Sequence, residues 1–187
     1  MRVIAGSVRG MKLAAPRGKQ TRPTADRVRE ALFSIITSRR ELEQARVLDI
    51  CAGTGSLGIE ALSRGAAFCC FVEEDRRVLA VLEKNLETTG FTGRSQVVAA
   101  DCLKGLRLLA ARERRFDLVF FDPPYASALY VTVPEALAGR SLLAEDGLLI
   151  VECSVRNPLP ERLGTLNRVD RRVYGDTALE FFALEEA

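Results

Sequence analysis

The sequence predicts a doubly wound, mostly parallel α/β sheet. Three observations carry that prediction. From Arg46 onward, short apolar segments alternate with amphipathic ones; a glycine-rich turn joins the first such strand to the helix after it; and segments such as Leu118-Val119-Phe120-Phe121 are apolar at every position, as in a sheet covered on both faces. Right-handed crossovers follow from the strand twist. Two extended segments at the end of the chain bring the expected sheet to seven strands.

The elements follow in order. Val3-Ile4-Ala5 and Met11-Lys12-Leu13-Ala14, separated by Gly6 to Gly10, read as a small β-hairpin within residues 2–15. A loop rich in Arg, Lys, Gly and Pro runs to Pro23. An amphipathic helix over 24–38 carries Val28, Leu32, Ile35 and Ile36 on one face, with Thr24 as its N-cap and Asp26 in its first turn. Strands are expected at 46–50, 68–73, 95–100, 116–121 and 147–153. Helices are expected at 56–64, 75–88, 102–113 and 128–139. In the helix over 75–88, Val78, Val81, Leu82 and Leu86 share a face and Gly90 is the stop signal. Residues 167–174 and 178–184, joined at Tyr174-Gly175-Asp176-Thr177, form an antiparallel pair that closes the sheet.

Charge is unevenly spread. Residues 1–40 hold ten Lys or Arg against Asp26 and Glu30, a net of +8, so the remaining 147 residues carry −6. The chain reads as a basic N-terminal extension, 1–40, on a slightly acidic body, 41–187, which suits a polyanionic partner gripped from one end. No apolar run reaches the roughly 20 residues a bilayer span requires, and no signal-peptide pattern opens the chain; a cytoplasmic protein is expected. The five cysteines form no C-x-x-C pair and histidine is absent, which argues against a metal site and excludes an imidazole base.

The loop after the first strand reads Asp49-Ile50-Cys51-Ala52-Gly53-Thr54-Gly55-Ser56-Leu57-Gly58 and satisfies G-x-G-x-x-G. Gly53 and Gly55 permit a tight turn and close backbone approach to a ligand. Glu73, 20 residues beyond Gly53, ends the second strand, where an acid can bind ribose hydroxyls. Both features also suit a dinucleotide. Asp49 and Asp101 favour S-adenosylmethionine instead. A carboxylate at Asp49 repels a pyrophosphate and attracts the ammonium of a methionine moiety, and Asp101, followed by Cys102, is placed to accept from an adenine amine.

The fourth strand ends in Asp122-Pro123-Pro124-Tyr125. Two prolines fix φ and remove two N–H donors, leaving the Asp122 carboxylate and free carbonyls, that of Pro123 among them, as acceptors. That polarity suits an amine held through its two N–H groups, with the Tyr125 ring free to stack on a base. In a doubly wound sheet strands one and four are neighbours at the switch point, so the glycine loop and Asp122 should face each other.

These residues carry a resemblance. Asp122 to Tyr125 resembles the [D/N]-P-P-[Y/F] motif of amino-group methyltransferases. Together with Arg22-Pro23-Thr24-Ala25-Asp26-Arg27-Val28-Arg29-Glu30-Ala31-Leu32, Asp49 to Gly65, and Tyr174-Gly175-Asp176-Thr177, it is similar to the bacterial 16S rRNA guanine-N2 methyltransferase family over nearly the whole chain. Cys51 departs from the pattern, standing where relatives carry an aromatic residue.

The resemblance implies a Rossmann-like class I S-adenosylmethionine-dependent methyltransferase, a guanine N2 amine as acceptor, and 16S rRNA or the assembling 30S particle as partner; a monomer is expected. Arg22, Arg27 and Arg29 would then hold the RNA backbone. The rivals are an amino methyltransferase acting on DNA adenine N6 or a protein glutamine, and a nicotinamide oxidoreductase. The basic arm speaks against the protein substrate. The oxidoreductase lacks a Tyr-x-x-x-Lys pair, since Leu129, Pro134 and Ala178 stand at that spacing after the three tyrosines.

Overall fold

The computed structural model describes residues 1–15, 23–112, 114–123 and 128–185. Helix α1 (Pro23–Arg39) precedes the alternating units β1 (Arg46–Ile50), α2 (Ser56–Ser63), β2 (Phe68–Glu73), α3 (Arg76–Thr89), β3 (Ser95–Ala99), α4 (Cys102–Ala110), β4 (Phe116–Phe121) and α5 (Leu129–Gly139). Three long strands and a short one finish the chain: β5 (Leu143–Ser154), β6 (Arg162–Leu163), β7 (Leu166–Tyr174) and β8 (Thr177–Leu184).

The strands form one sheet in the order β3-β2-β1-β4-β5-β8-β7-β6. β1 to β5 run parallel, and β5 to β8, β8 to β7 and β7 to β6 are antiparallel. The sheet therefore has eight strands where seven were expected. The additional β6 is a two-residue edge pairing with Asn167 and Leu166, too short to leave a hydrophobic period in the sequence. No helix among the described residues is long and apolar enough to cross a membrane.

Alternation along the strands sorts the core into two layers. On one face Val47, Phe71, Phe120 and Ile150 pack with Leu32, Phe33 and Ile36 of α1, Ile59 and Leu62 of α2, and Leu82 and Leu86 of α3. On the other, Leu48, Val72, Phe121 and Val151 pack with Leu106 and Leu109 of α4 and Val133 and Leu137 of α5. α3 buries Leu79, Leu82, Asn85, Leu86 and Thr89, so its stripe is rotated from the expected one: Val78 and Val81 are only half-buried. Asp75 caps its first amides and Gly90, at φ 73°, closes it. α1 begins before Thr24, with Pro23 in the first turn, where its missing N–H costs nothing.

The N-terminal segment folds back as expected but with a single ladder bridge, Arg2 to Lys12. Its backbone is fastened to the body. The Ile4 and Ala5 amides donate to the Glu60 carboxylate of α2 at 2.7 and 3.0 Å, and the Ser7 amide donates to the Ser63 carbonyl at 2.7 Å. Val3 and Leu13 belong to the same core layer as α1 to α3.

Candidate active site

β1 and β4 are adjacent and β1 winds outward to β2 and β3 while β4 winds to β5, so the crevice of the switch point opens above their C-terminal ends. Ile50 pairs with Phe121, which sets Cys51 and Asp122 side by side as the two chains leave the sheet. The glycine turn and the start of the Asp-Pro-Pro-Tyr segment thus lie on one crevice. Pro124 and Tyr125 fall outside the described residues, as does Arg22.

The turn is held by two acids and a side-chain amide. Gly53 and Gly55 take left-handed backbone, φ 57° and 78°. Among the described residues a Cβ on Gly53 would meet only the Cys51 carbonyl, at 3.9 Å, which leaves room above it; one on Gly55 would lie 2.3 Å from Leu82 Cδ1. Asp49 is buried and its Oδ2 accepts the Gly58 amide at 2.9 Å, anchoring the start of α2. Burial drives its carboxyl well above the ordinary range, and the charges of Asp122 and Glu73 push the same way. Glu73 Oε2 accepts the Gly53 amide at 2.9 Å, while its Oε1 accepts the amides of Glu74 and Asp75. Asp101 caps α4, accepting the Lys104 amide at 2.9 Å. Asn85 was not picked out in the sequence. Its side-chain nitrogen donates to the Thr54 carbonyl at 2.9 Å and to the Ala14 carbonyl at 3.1 Å, and its oxygen accepts the Ala14 amide at 2.7 Å.

Cys102 opens α4 with its Sγ 2.8 Å from that of Cys51, and neither is in a disulfide. The shared hydrogen bond raises the Cys51 thiol and lowers that of Cys102. Cys51 holds a left-handed backbone, φ 58°, uncommon for a residue with a side chain.

On the other wall Asp122 is exposed and Pro123 is buried. Tyr130 of α5 points its hydroxyl at the Pro123 carbonyl, 3.5 Å away, and sets its ring edge-on to Phe121 with centroids 6.2 Å apart. Tyr130 braces this wall from behind; nothing in its local sequence distinguished it from an ordinary helix residue.

The basic arm divides. Arg27 is exposed on α1. Arg29, expected to meet RNA, is 5% exposed: one Nη donates to the Arg2 carbonyl at 2.6 Å and to Asp26 at 3.1 Å. Burial lowers its pKa. In this structure its guanidinium fastens the N-terminus to α1, because it lies on the buried side of the helix beside Val28.

Asp122 and Glu73 lie close enough to Asp49 that their charges act on it. Such a crevice disfavours a pyrophosphate and accommodates a cation that carries an amino acid and a ribose, with open backbone above Gly53 for close approach.

The family described as "Conserved hypothetical protein 95" matches residues 1–183. The chain is 37% identical over 182 residues to YlbH of Bacillus subtilis, covering 97% of this chain and 98% of that one. It is 36% identical over 185 residues to ribosomal RNA small subunit methyltransferase D of Escherichia coli, covering 99% and 90%. The solved structure of yhhF from Escherichia coli superposes with a TM-score of 0.86 at 36% identity, over 100% of this chain and 99% of that one.

Proposed function

The chain belongs to the family of ribosomal RNA small subunit methyltransferase D, and from that membership we propose that it methylates the exocyclic N2 amine of a guanine in 16S rRNA with S-adenosylmethionine. The observation that supports this best is the shared crevice, in which a glycine turn edged by Asp49 and Glu73 meets Asp122 across the β1–β4 switch point. The partner is 16S rRNA or the assembling 30S particle, and the setting is the cytoplasm.

S-adenosylmethionine, when bound, supplies a methyl group already activated by its sulfonium. Around it the chain's own groups divide the work. Asp49 holds the amino-acid ammonium through the oxygen not engaged by Gly58. Glu73, fixed by three amides, accepts the ribose hydroxyls. Asp101 accepts the adenine amine beside Cys102, and Gly53 and Gly55 let the backbone approach.

The acceptor is a poor nucleophile, because its lone pair is delocalised into the ring. Asp122 and the Pro123 carbonyl accept its two N–H bonds, favour a pyramidal nitrogen and aim the lone pair at the methyl carbon. Such orientation of two bound reactants is worth as much as about 7–11 kcal/mol in ideal cases. Methylation of the nitrogen would leave a surplus proton on the amine, which Asp122 or water would take. Tyr125 stacks on the base drawn from its RNA stack, and Arg22 and Arg27 hold the backbone.

The test is methyl transfer from labelled S-adenosylmethionine to ribosomal particles lacking the modification, followed by mapping of the labelled base. A labelled guanine N2 in 16S rRNA is the expected result, and a label on adenine or protein would replace this reading with another. Asp122→Ala should abolish transfer while the cofactor still binds; wild-type turnover in that variant would remove Asp122 from the chemistry.

A further inference from the structure

The two-residue period that separates the core layers also sorts the acids. Val47, Phe71, Phe120 and Ile150 lie in the layer of α1 to α3; two residues further along each strand come Asp49, Glu73, Asp122 and Glu152. All four belong to the same face of the sheet. The strand order β2-β1-β4-β5 sets them side by side at its C-terminal edge. Three of them are used in the proposed function. Glu152 is not.

Glu152 stands one residue past the Phe121–Val151 pair, on the strand next to Asp122, where strand axes are about 4.8 Å apart. Its partner on the other side is apolar Leu179 of β8. The side chain is half-buried, and no hydrogen bond or ion pair engages its carboxyl among the described residues. Burial, with the charge of Asp122 added, holds that carboxyl up to about 8. Other half-buried or buried acids of the molecule, Glu60, Glu73 and Glu180, are each satisfied by backbone amides or arginines. A carboxyl group kept partly out of water, beside the acid assigned to the reacting amine and not engaged by any of the described residues, is suited to a ligand.

We propose that Glu152 determines base specificity, accepting the N1–H of the target guanine while Asp122 and the Pro123 carbonyl hold its N2 amine. This rests on the guanine-N2 reading above. In guanine the N1–H and N2–H bonds point the same way along one edge, so two acceptors on adjacent strand ends match them. The carboxyl accepts N1–H in either protonation state, and the neutral form adds an O–H for O6. A purine with an unprotonated N1 and no O6 would at best take the O–H of the neutral carboxyl, and would leave its acceptor oxygen without an N–H. A site built on such a hydrogen bond can reject the analogue lacking it strongly, because its polar group is left unsatisfied.

The experiment compares particles carrying guanine with particles carrying 2-aminopurine at the modified position. 2-Aminopurine keeps the amine but has neither N1–H nor O6. Wild type should favour guanine at least tenfold in kcat/KM. Glu152→Met, of similar length and without acceptors, should lose that preference through the guanine rate, with cofactor affinity retained and melting temperature not lowered. Glu152→Gln, whose amide offers both an acceptor and a donor, should restore it. An undiminished preference in Glu152→Met, in a protein whose wild type methylates guanine N2, overturns this inference alone. A wild type that does not methylate guanine N2 overturns both it and the function it rests on.

Discussion

Phe33 of α1 packs against Phe120 of β4 with ring centroids 5.6 Å apart and planes tilted by 54°. Phe120 stands two residues before Asp122, on the same face of the sheet, and Phe33 lies six residues after exposed Arg27. The helix assigned to the nucleic acid and the strand assigned to the reacting amine therefore share one aromatic contact. Both rings are fully buried.

Phe33→Ala should destabilise the protein by about 3–5 kcal/mol, the usual cost of emptying a fully buried aromatic site. It should also slow methyl transfer at temperatures where the variant is still folded, since Asp122 loses the support behind its strand. Urea unfolding beside single-turnover kinetics separates the two effects. Wild-type kinetics in the folded variant would show that α1 does not support the position of Asp122.

Gly58→Ala should cost about 1–3 kcal/mol by overpacking. A Cβ there would lie 2.3 Å from Phe71 Cε1 and 2.6 Å from Cys69 Sγ, and neither a ring in β2 nor a thiol in the sheet can swing away. Displacing Gly58 also disturbs the amide that Asp49 accepts. Cofactor affinity measured by calorimetry should fall with stability; unchanged affinity would separate that hydrogen bond from the cofactor site.

Asn85→Ala should cost about 1–3 kcal/mol, because the Ala14 amide and the Thr54 carbonyl lose their partner together. Hydrogen exchange should quicken at Ala14 and around Thr54 in the same variant. Faster exchange at one site only would mean that the two segments are held separately.

Stability should fall as pH rises across the neutral range. Glu152 holds its proton up to about 8 when folded, whereas an unfolded glutamate releases it near pH ~4.3. Between those values the folded chain carries a proton that the unfolded chain has lost, so the stabilisation present at low pH drains away as pH approaches 8. Asp49 is raised by burial and acts with the same sign. Glu152→Gln removes one of these two contributions, so its urea midpoint should decline less than that of wild type from pH 5 to 8. Parallel curves would show that the Glu152 carboxyl is not perturbed by folding.

Much of this was legible in the sequence, and the remainder has a common cause. Local periodicity located β1 to β4 and the α-helices because each pattern is complete within a few residues. The glycine turn and Asp122 could be placed together because strand order follows from chirality and connection rules. Burial set by distant partners could not be read. Arg29 has the composition of an RNA contact, yet it closes on the Arg2 carbonyl 27 residues away. Asn85 looks like a polar break in the α3 stripe until Ala14, 71 residues away, is folded against it. Glu152 gains meaning only when β5 is laid beside β4.

The fastening of the N-terminal segment limits how the molecule can be divided. Val3, Leu13, Leu32, Phe33 and Ile36 fill the layer that covers β1, β2 and β4, and Glu60 and Ser63 spend their side chains on the first eight residues. A polypeptide starting at residue 41 would bare to water the part of that layer that α1 and the N-terminal segment fill, and would leave the Glu60 carboxylate without its two backbone amides. Reader and writer would then be one casting: the segment proposed to grip the nucleic acid could not be sawn off without opening the core of the methyl-transfer half.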